Sequence, residues 1–284
     1  MSSTVPGDER DGVRTDRRTL LHALPLAAAW LATSAIAQAE TPDSPQQNDQ
    51  HAPAIPNMMG SESIAMLIYP GFTALDLIGP HFFLSGLMGA KVQLVTNQPT
   101  LSPVVSDAGI AITPNARLDD VSQAVDVLFV PGGFEGTLAA MQHQPTLDFI
   151  ASRSAGAKLV ASVCTGSFIL AAAGVLKGKR ATSHWAARET LAAFGVTPVN
   201  ERVVRDGKFI SGAGISAGLD AGVAITEALR GRPYAEAQML QAEYAPSPPF
   251  AGGRPDNTRP EITGAVQSLL GGFNGRARAI AQAR

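Results

Sequence analysis

ASVCTGSFILAAAGVL, residues 161–176, reads as the end of a buried strand, a sharp turn and the start of a helix. The run leading into it, AKLVASV (157–163), shows no polar alternation, as expected of a strand covered on both faces in a parallel sheet. Small residues at Gly166 and Ser167 let the backbone pass close as TGSFILAAAGVL (165–176) takes up helical spacing. The same unit recurs outward from this junction. VDVLFV (125–130), closed by Pro131-Gly132-Gly133, reads as a strand, and PTLDFIASRSAG (145–156) as a helix. ESIAMLIY (62–69), ended by Pro70-Gly71, is a strand, FTALDLIGPHFFLSGLMG (72–89) a helix, and KVQLVT (91–96) a second strand. LSPVVSDAGIAITP (101–114), with Asp107-Ala108-Gly109 at its turn, is expected to be an inserted antiparallel hairpin. Strands alternating with helices predict one α/β domain with a mostly parallel sheet and helices on both faces. The domain is expected over 61–257, with its core ending near 255. A Pro- and Gly-interrupted tail with one weak helix should follow over 258–284.

The 284 residues are 45% hydrophobic and 16% charged with a net charge of -2. A chain so apolar can bury a core, which a disordered one cannot. Near-neutral charge gives no reason to expect nucleic-acid binding, which needs a surplus of Lys and Arg on one face. The single cysteine excludes an intrachain disulfide and any Cys-cluster metal site.

The N-terminus reads as an export signal. Arg17-Arg18 is followed by the Ala-rich run ALPLAAAWLATSAIA from Ala23 and by a small-residue cleavage site at Ala37-Gln38-Ala39. That order is a twin-arginine signal over 1–39, which implies a periplasmic protein. The run is too short and interrupted for a spanning helix, so no membrane association is expected after cleavage. Residues 40–60, rich in Pro, Gln and Asn without periodicity, read as a flexible linker.

In an open α/β sheet, sites form outside the carboxyl ends of the strands. The lone cysteine, Cys164, falls at such an end. Delivered by a strand to a tight turn before a helix, it has the setting of a nucleophile elbow, where unpaired amides favour an anion and the thiol pKa is expected to fall. The bland reading, a small buried hydrophobe, is commoner for cysteine in general. It fits this junction poorly, and an exported protein that keeps a free thiol keeps an oxidation liability. Gly132 and Gly133 could point an amide into the cleft as oxyanion donors, although Pro-Gly-Gly describes an ordinary tight connection equally well. Asp76, inside TALDLIGP, is either a cap on its helix or a partly desolvated carboxyl with a raised pKa that exchanges a proton with substrate. Phe72, Phe134 and Phe168 suit a pocket lining or the core. His184, in ATSHW, could be a base beside the thiolate or a structural histidine that supports the site.

VPGG (130–133), SVCTGSFILAAAGVLKGKRATSHW (162–185) and the Pro70-Gly71 to Asp76 turn together resemble the DJ-1/PfpI superfamily. LDLIGP (75–80), ATSHW (181–185), ERVVRDGKFISGAGISAGLD (201–220) and QAEYAPSPPFAGGRP (241–255) are similar to its isonitrile hydratase (cyclohexyl-isocyanide hydratase) branch. The resemblance runs from about Ile64 to Pro255. It implies a flavodoxin-like three-layer sandwich, a homodimer, and Cys164, Asp76 and Thr165 as catalytic residues in the hydration of an isonitrile to an N-substituted formamide without metal or organic cofactor, with the acid carrying proton transfer and His184 in a structural, supporting place. The same domain is the sensor half of some transcription regulators, but the stretch after Pro255 is too short and too weakly basic for a helix-turn-helix module. A redox-sensing stress protein with Cys164 as an oxidisable thiol is the other class the resemblance allows.

Overall fold

Apolar runs without alternation become central strands because both of their faces are covered. In the computed structural model, which describes residues 58–284, the strands are β1 (Ser63–Ile68), β2 (Lys91–Thr96), β3 (Val104–Val105), β4 (Ala111–Ile112), β5 (Ala116–Arg117), β6 (Val127–Val130), β7 (Leu159–Val163), β8 (Arg180–Ala181), β9 (Thr197–Pro198), β10 (Val203–Asp206) and β11 (Phe209–Gly212). The helices are α1 (Ala74–Ser85), α2 (Phe134–Ala140), α3 (Gln144–Gly156), α4 (Gly166–Ala172), α5 (Ala217–Arg230), α6 (Arg232–Gln241) and α7 (Pro260–Gln282). The chain divides into two units, Met1–Ala52 and Pro53–Arg284. The first lies outside the described residues, as do the expected signal (1–39) and most of the expected linker.

The main sheet has seven strands in the order β10-β11-β7-β6-β1-β2-β5. All neighbours are parallel except β10 and β11. The residues from Ile64 to Ile68 and from Val127 to Val130 are fully buried. Each such Ile, Val, Leu or Phe contributes roughly 1.5–3 kcal/mol over an exposed one. The chain leaves β1 toward one edge of the sheet and β6 toward the other, so right-handed crossovers put α1 and α3 on opposite faces. α1 packs on α5 across one face, and α3 and α4 pack across the other. This is a three-layer α/β sandwich. The 101–114 segment forms the expected hairpin, β3 against β4.

The start of the described chain is anchored. Buried Arg230 pairs with Glu62, its Nε donating at 2.6 Å, and its Nη1 donates to the carbonyl of Met58 at 3.0 Å. The other end departs from expectation. The core does not end near 255, because α7 brings Phe273 and Ala277 into it. Its Gly-rich sequence hides this: only two positions are buried, and the contacts that hold the helix come from elsewhere in the chain.

Candidate functional site

The loops after β1, β6 and β7 meet at their carboxyl ends, beside the point where the chain turns to opposite faces. The β7 loop supplies Cys164, whose φ of 56° is left-handed, a region that costs a non-glycine residue roughly 1–3 kcal/mol. The surroundings offset this. Its amide donates to the carbonyls of Gly212 and Ala213 at 3.0 and 2.7 Å. Its carbonyl accepts from Ser167 Oγ at 3.1 Å and Ser183 Oγ at 2.8 Å. At about 1 kcal/mol each, these bonds match the strain. The side chain is fully buried.

Asp76 comes from the first turn of α1 and is also fully buried. It does not cap its own helix. Its Oδ2 instead accepts the amide of Gly132, 56 positions away, at 3.0 Å. Oδ1 is buried with no hydrogen-bond partner. Burial raises the carboxyl pKa to about 8; the Gly132 amide and the Cys164 thiol pull against that rise, and nearby Asp107 adds to it. Asp76 is therefore protonated at neutral pH. With Oδ2 engaged as an acceptor, the proton belongs on Oδ1.

The thiol departs from the depressed pKa expected at the elbow. Burial pushes Cys164 well above the ordinary thiol range, the Asp76 charge adds to this, and the amides of Thr165 and Ile215 oppose it. The contribution from Asp76 acts only while that carboxyl is ionised, so protonating Asp76 relieves it. At rest the pair holds both protons: a neutral acid beside a neutral thiol, with two amides aimed at the sulfur.

Thr165 is buried and its hydroxyl is committed. Tyr69 Oη donates its one proton to the carbonyl of Pro131 at 2.7 Å, so at 3.2 Å it can only accept from Thr137 Oγ1. With its proton so used, Thr137 accepts from Thr165 Oγ1 at 2.8 Å. Thr165 Oγ1 in turn accepts the amide of Gly133 at 3.1 Å. The Gly133 and Gly132 amides are then not free to receive a developing anion, contrary to expectation, and neither is the Thr165 hydroxyl. The two glycines position the acid and the threonine instead. Both sites need glycine: a Cβ on Gly132 would lie 2.7 Å from Asp76 Oδ2 and from the Thr165 nitrogen, and Gly133 has φ 151° with the Gly71 carbonyl against it. The amides left for the reacting sulfur are those of Thr165 and Ile215.

His184 stands apart. It is not among the groups that perturb Cys164. Its ring lies edge-on to Phe134 at 5.4 Å, its Nδ1 accepts the amide of Ala186 at 3.3 Å, and burial lowers its pKa to about 4. It is neutral, with its proton on Nε2, and it packs between Phe134 and Gly214. Phe72 and Phe168 are fully buried in the core, while Phe134 is half-buried. Tyr69 shows in the sequence only as the opening of the Tyr69-Pro70-Gly71 turn, a polar group closing an apolar strand, and Ser183 and Ile215 only as members of strings already noted; Thr137 carries no signal.

The family model described as DJ-1/PfpI family matches residues 62–228. Isonitrile hydratase from Pseudomonas putida is 45% identical over 193 residues, 68% of this chain and 83% of that protein. A solved THiJ/PfpI family protein from Pseudomonas syringae is 46% identical with a TM-score of 0.77, over 85% of this chain and 97% of that one. Drosophila melanogaster DJ-1beta, at 25% identity and a TM-score of 0.61, matches 66% of this chain and 100% of its own.

Proposed function

The chain belongs to the DJ-1/PfpI family, and on that premise we propose that it is an isonitrile hydratase-like lyase acting through Cys164. Similarity to the Pseudomonas putida isonitrile hydratase supports a hydratase-like enzyme. The observation that carries the finer reading is the buried pair of a thiol and a protonated carboxyl, with Oδ1 of the carboxyl left for a substrate. The terminal carbon of an isonitrile, R-NC, is carbene-like and accepts both a nucleophile and a proton. As the Cys164 sulfur bonds to this carbon, Asp76 gives it the Oδ1 proton and takes up the proton the sulfur loses. The product is a thioimidate, R-N=CH-S-Cys164, and Asp76 is neutral again. Water then adds, oxygen to carbon and a proton to nitrogen through Asp76. The C–S bond breaks, the sulfur regains the hydroxyl proton, and R-NH-CHO leaves. The Thr165 and Ile215 amides stabilise the sulfur whenever it carries charge, while the Thr165 side chain holds the turn in register.

Turnover of a panel of alkyl isonitriles by the purified protein, with formamide followed by mass spectrometry and Cys164 by intact mass, tests this reading. Formamide with unmodified protein is expected. Absence of turnover together with a stable sulfinic acid on Cys164 under mild peroxide would replace it with the redox-sensing alternative.

Two further parts of the reading concern setting. The homodimer is supported by α1, where Leu75, Ile78 and Phe82 line one helical face and remain 44–45% exposed. Light scattering should give twice the chain mass, and Ile78→Asp should halve it; a monomer at working concentration sinks the idea. The Arg17-Arg18 pair, the Ala-rich run and the Ala37-Gln38-Ala39 site support export of the mature enzyme to the periplasm, and N-terminal sequencing of the periplasmic fraction tests this by whether the chain starts at Glu40.

A further inference from the structure

We propose that α7, through Phe273, sets the apolar wall that receives the substituent of the isonitrile, and so decides which substrates reach Cys164. This rests on the hydratase reading above. α7 lies beyond the residues matched by the family model. Its buried Phe273 meets Phe134 edge-on at 5.7 Å and Phe168 edge-on at 5.1 Å. Phe134 directly follows Gly133, and its ring meets His184. The His184 ring lies against Gly214, where an added Cβ would be 3.0 Å from it. Gly214 precedes Ile215, whose amide faces the sulfur. Phe273 thus backs a continuous wall that runs from Phe134 through His184 to the nucleophile.

The rest of α7 grips the segments that carry the site. Arg276 pairs with Glu135 in the first turn of α2. Asn274 donates to the carbonyl of Ala186 at 2.8 Å and accepts from Thr190 Oγ1 at 3.0 Å, holding the stretch that follows His184. Arg284 donates at 2.7 Å to the carbonyls of Met141 and Ala172, at the ends of α2 and α4. A helix that only added stability could attach anywhere on the domain. This one attaches to the segments that place Gly133, Cys164 and His184. Truncating Phe273 leaves a void into which the Phe134 ring can tilt, so the wall recedes from the substrate.

The test is the ratio of kcat/KM for cyclohexyl isocyanide to that for methyl isocyanide. In Phe273→Ala the ratio should move by about tenfold in favour of the bulky substrate, mostly through KM, and Phe273→Leu should keep most of the wild-type ratio. An unchanged ratio in a folded Phe273→Ala protein overturns the proposal. If that variant does not fold, the double variant Arg276→Ala with Asn274→Ala must shift the ratio the same way, and no shift overturns it. Should the wild-type protein hydrate no isonitrile, the hydratase reading fails while the wall is still measurable. The single cysteine makes alkylation unambiguous, so the Cys164 rate ratio for N-cyclohexylmaleimide over iodoacetamide should rise by about tenfold in Phe273→Ala. An unmoved ratio there overturns the wall whatever the activity.

Discussion

Cys164 and Asp76 meet at the same place by opposite routes. The cysteine is presented by its backbone: a strand stops, φ turns positive, and the side chain projects from a strained turn held by its own peptide's hydrogen bonds. The aspartate sits in an ordinary helical turn, and only its side chain reaches out, to an amide on another loop. A nucleophile must be aimed, which a local elbow ensures. An acid must be held protonated, which requires burial assembled from distant parts of the chain. The consequence is a pair whose members each depend on a different link, one on local structure and one on tertiary packing.

The largest effect should come from removing the locally presented partner. Cys164→Ala should lower kcat/KM by about ten-thousand-fold or more while leaving thermal unfolding close to wild type, since no other thiol can take over. Full activity in this variant would sink the nucleophile assignment. Asp76→Asn should cost about 10²- to 10⁴-fold, because the amide keeps the Gly132 hydrogen bond and the shape but cannot transfer a proton.

pH separates the two further. In the wild type, kcat/KM should fall as pH rises through about 8, where the Asp76 proton is lost. The Asn variant should lack that limb. Stability follows with a definite sign: from 3.8 to about 8 the native state keeps a proton that the unfolded chain has released. The wild type should therefore lose stability as pH rises across this window, and Asp76→Asn should lose much less. Urea unfolding at both ends of the window would show it, and parallel slopes for the two proteins would return Asp76 to an ordinary ionised role.

The smallest effect tests the link between the two loops. Tyr69→Phe removes the end of the hydroxyl chain, leaving the Pro131 carbonyl without its donor and the Thr137 proton without its acceptor. We expect a loss of about 1–3 kcal/mol in unfolding free energy. A fall in kcat of about tenfold should accompany it, with KM nearly unchanged, because the Gly133 turn and Thr165 lose register rather than binding surface. A KM effect without a kcat effect would mean that Tyr69 only supports the binding wall.

Much of this architecture is legible in the sequence. The apolar strands, the Pro-Gly stops, the hairpin at 101–114 and the elbow at Cys164 are consequences of residues within a few positions of one another, and local sterics and periodicity decide them. Gly132 and Gly133 were legible as special backbone positions, yet their work was not. Whether an amide faces a substrate or a carboxylate depends on what the fold brings against it, here Asp76 and Thr165. The same holds for the direction of the thiol pKa. A helix start argues for a lower value, but complete burial beside a carboxyl outweighs it.

What the amino-acid sequence determined by itself was the α/β alternation, the single thiol and its place at a strand end, because these depend on composition and short-range geometry. Tertiary structure alone decided that Asp76 is a protonated partner rather than a helix cap, that Thr165 is locked by Tyr69 and Thr137, and that α7 closes the aromatic wall through Phe273. Each of those depends on desolvation or on contacts between residues far apart in the chain. Such terms exist only once the layers have packed.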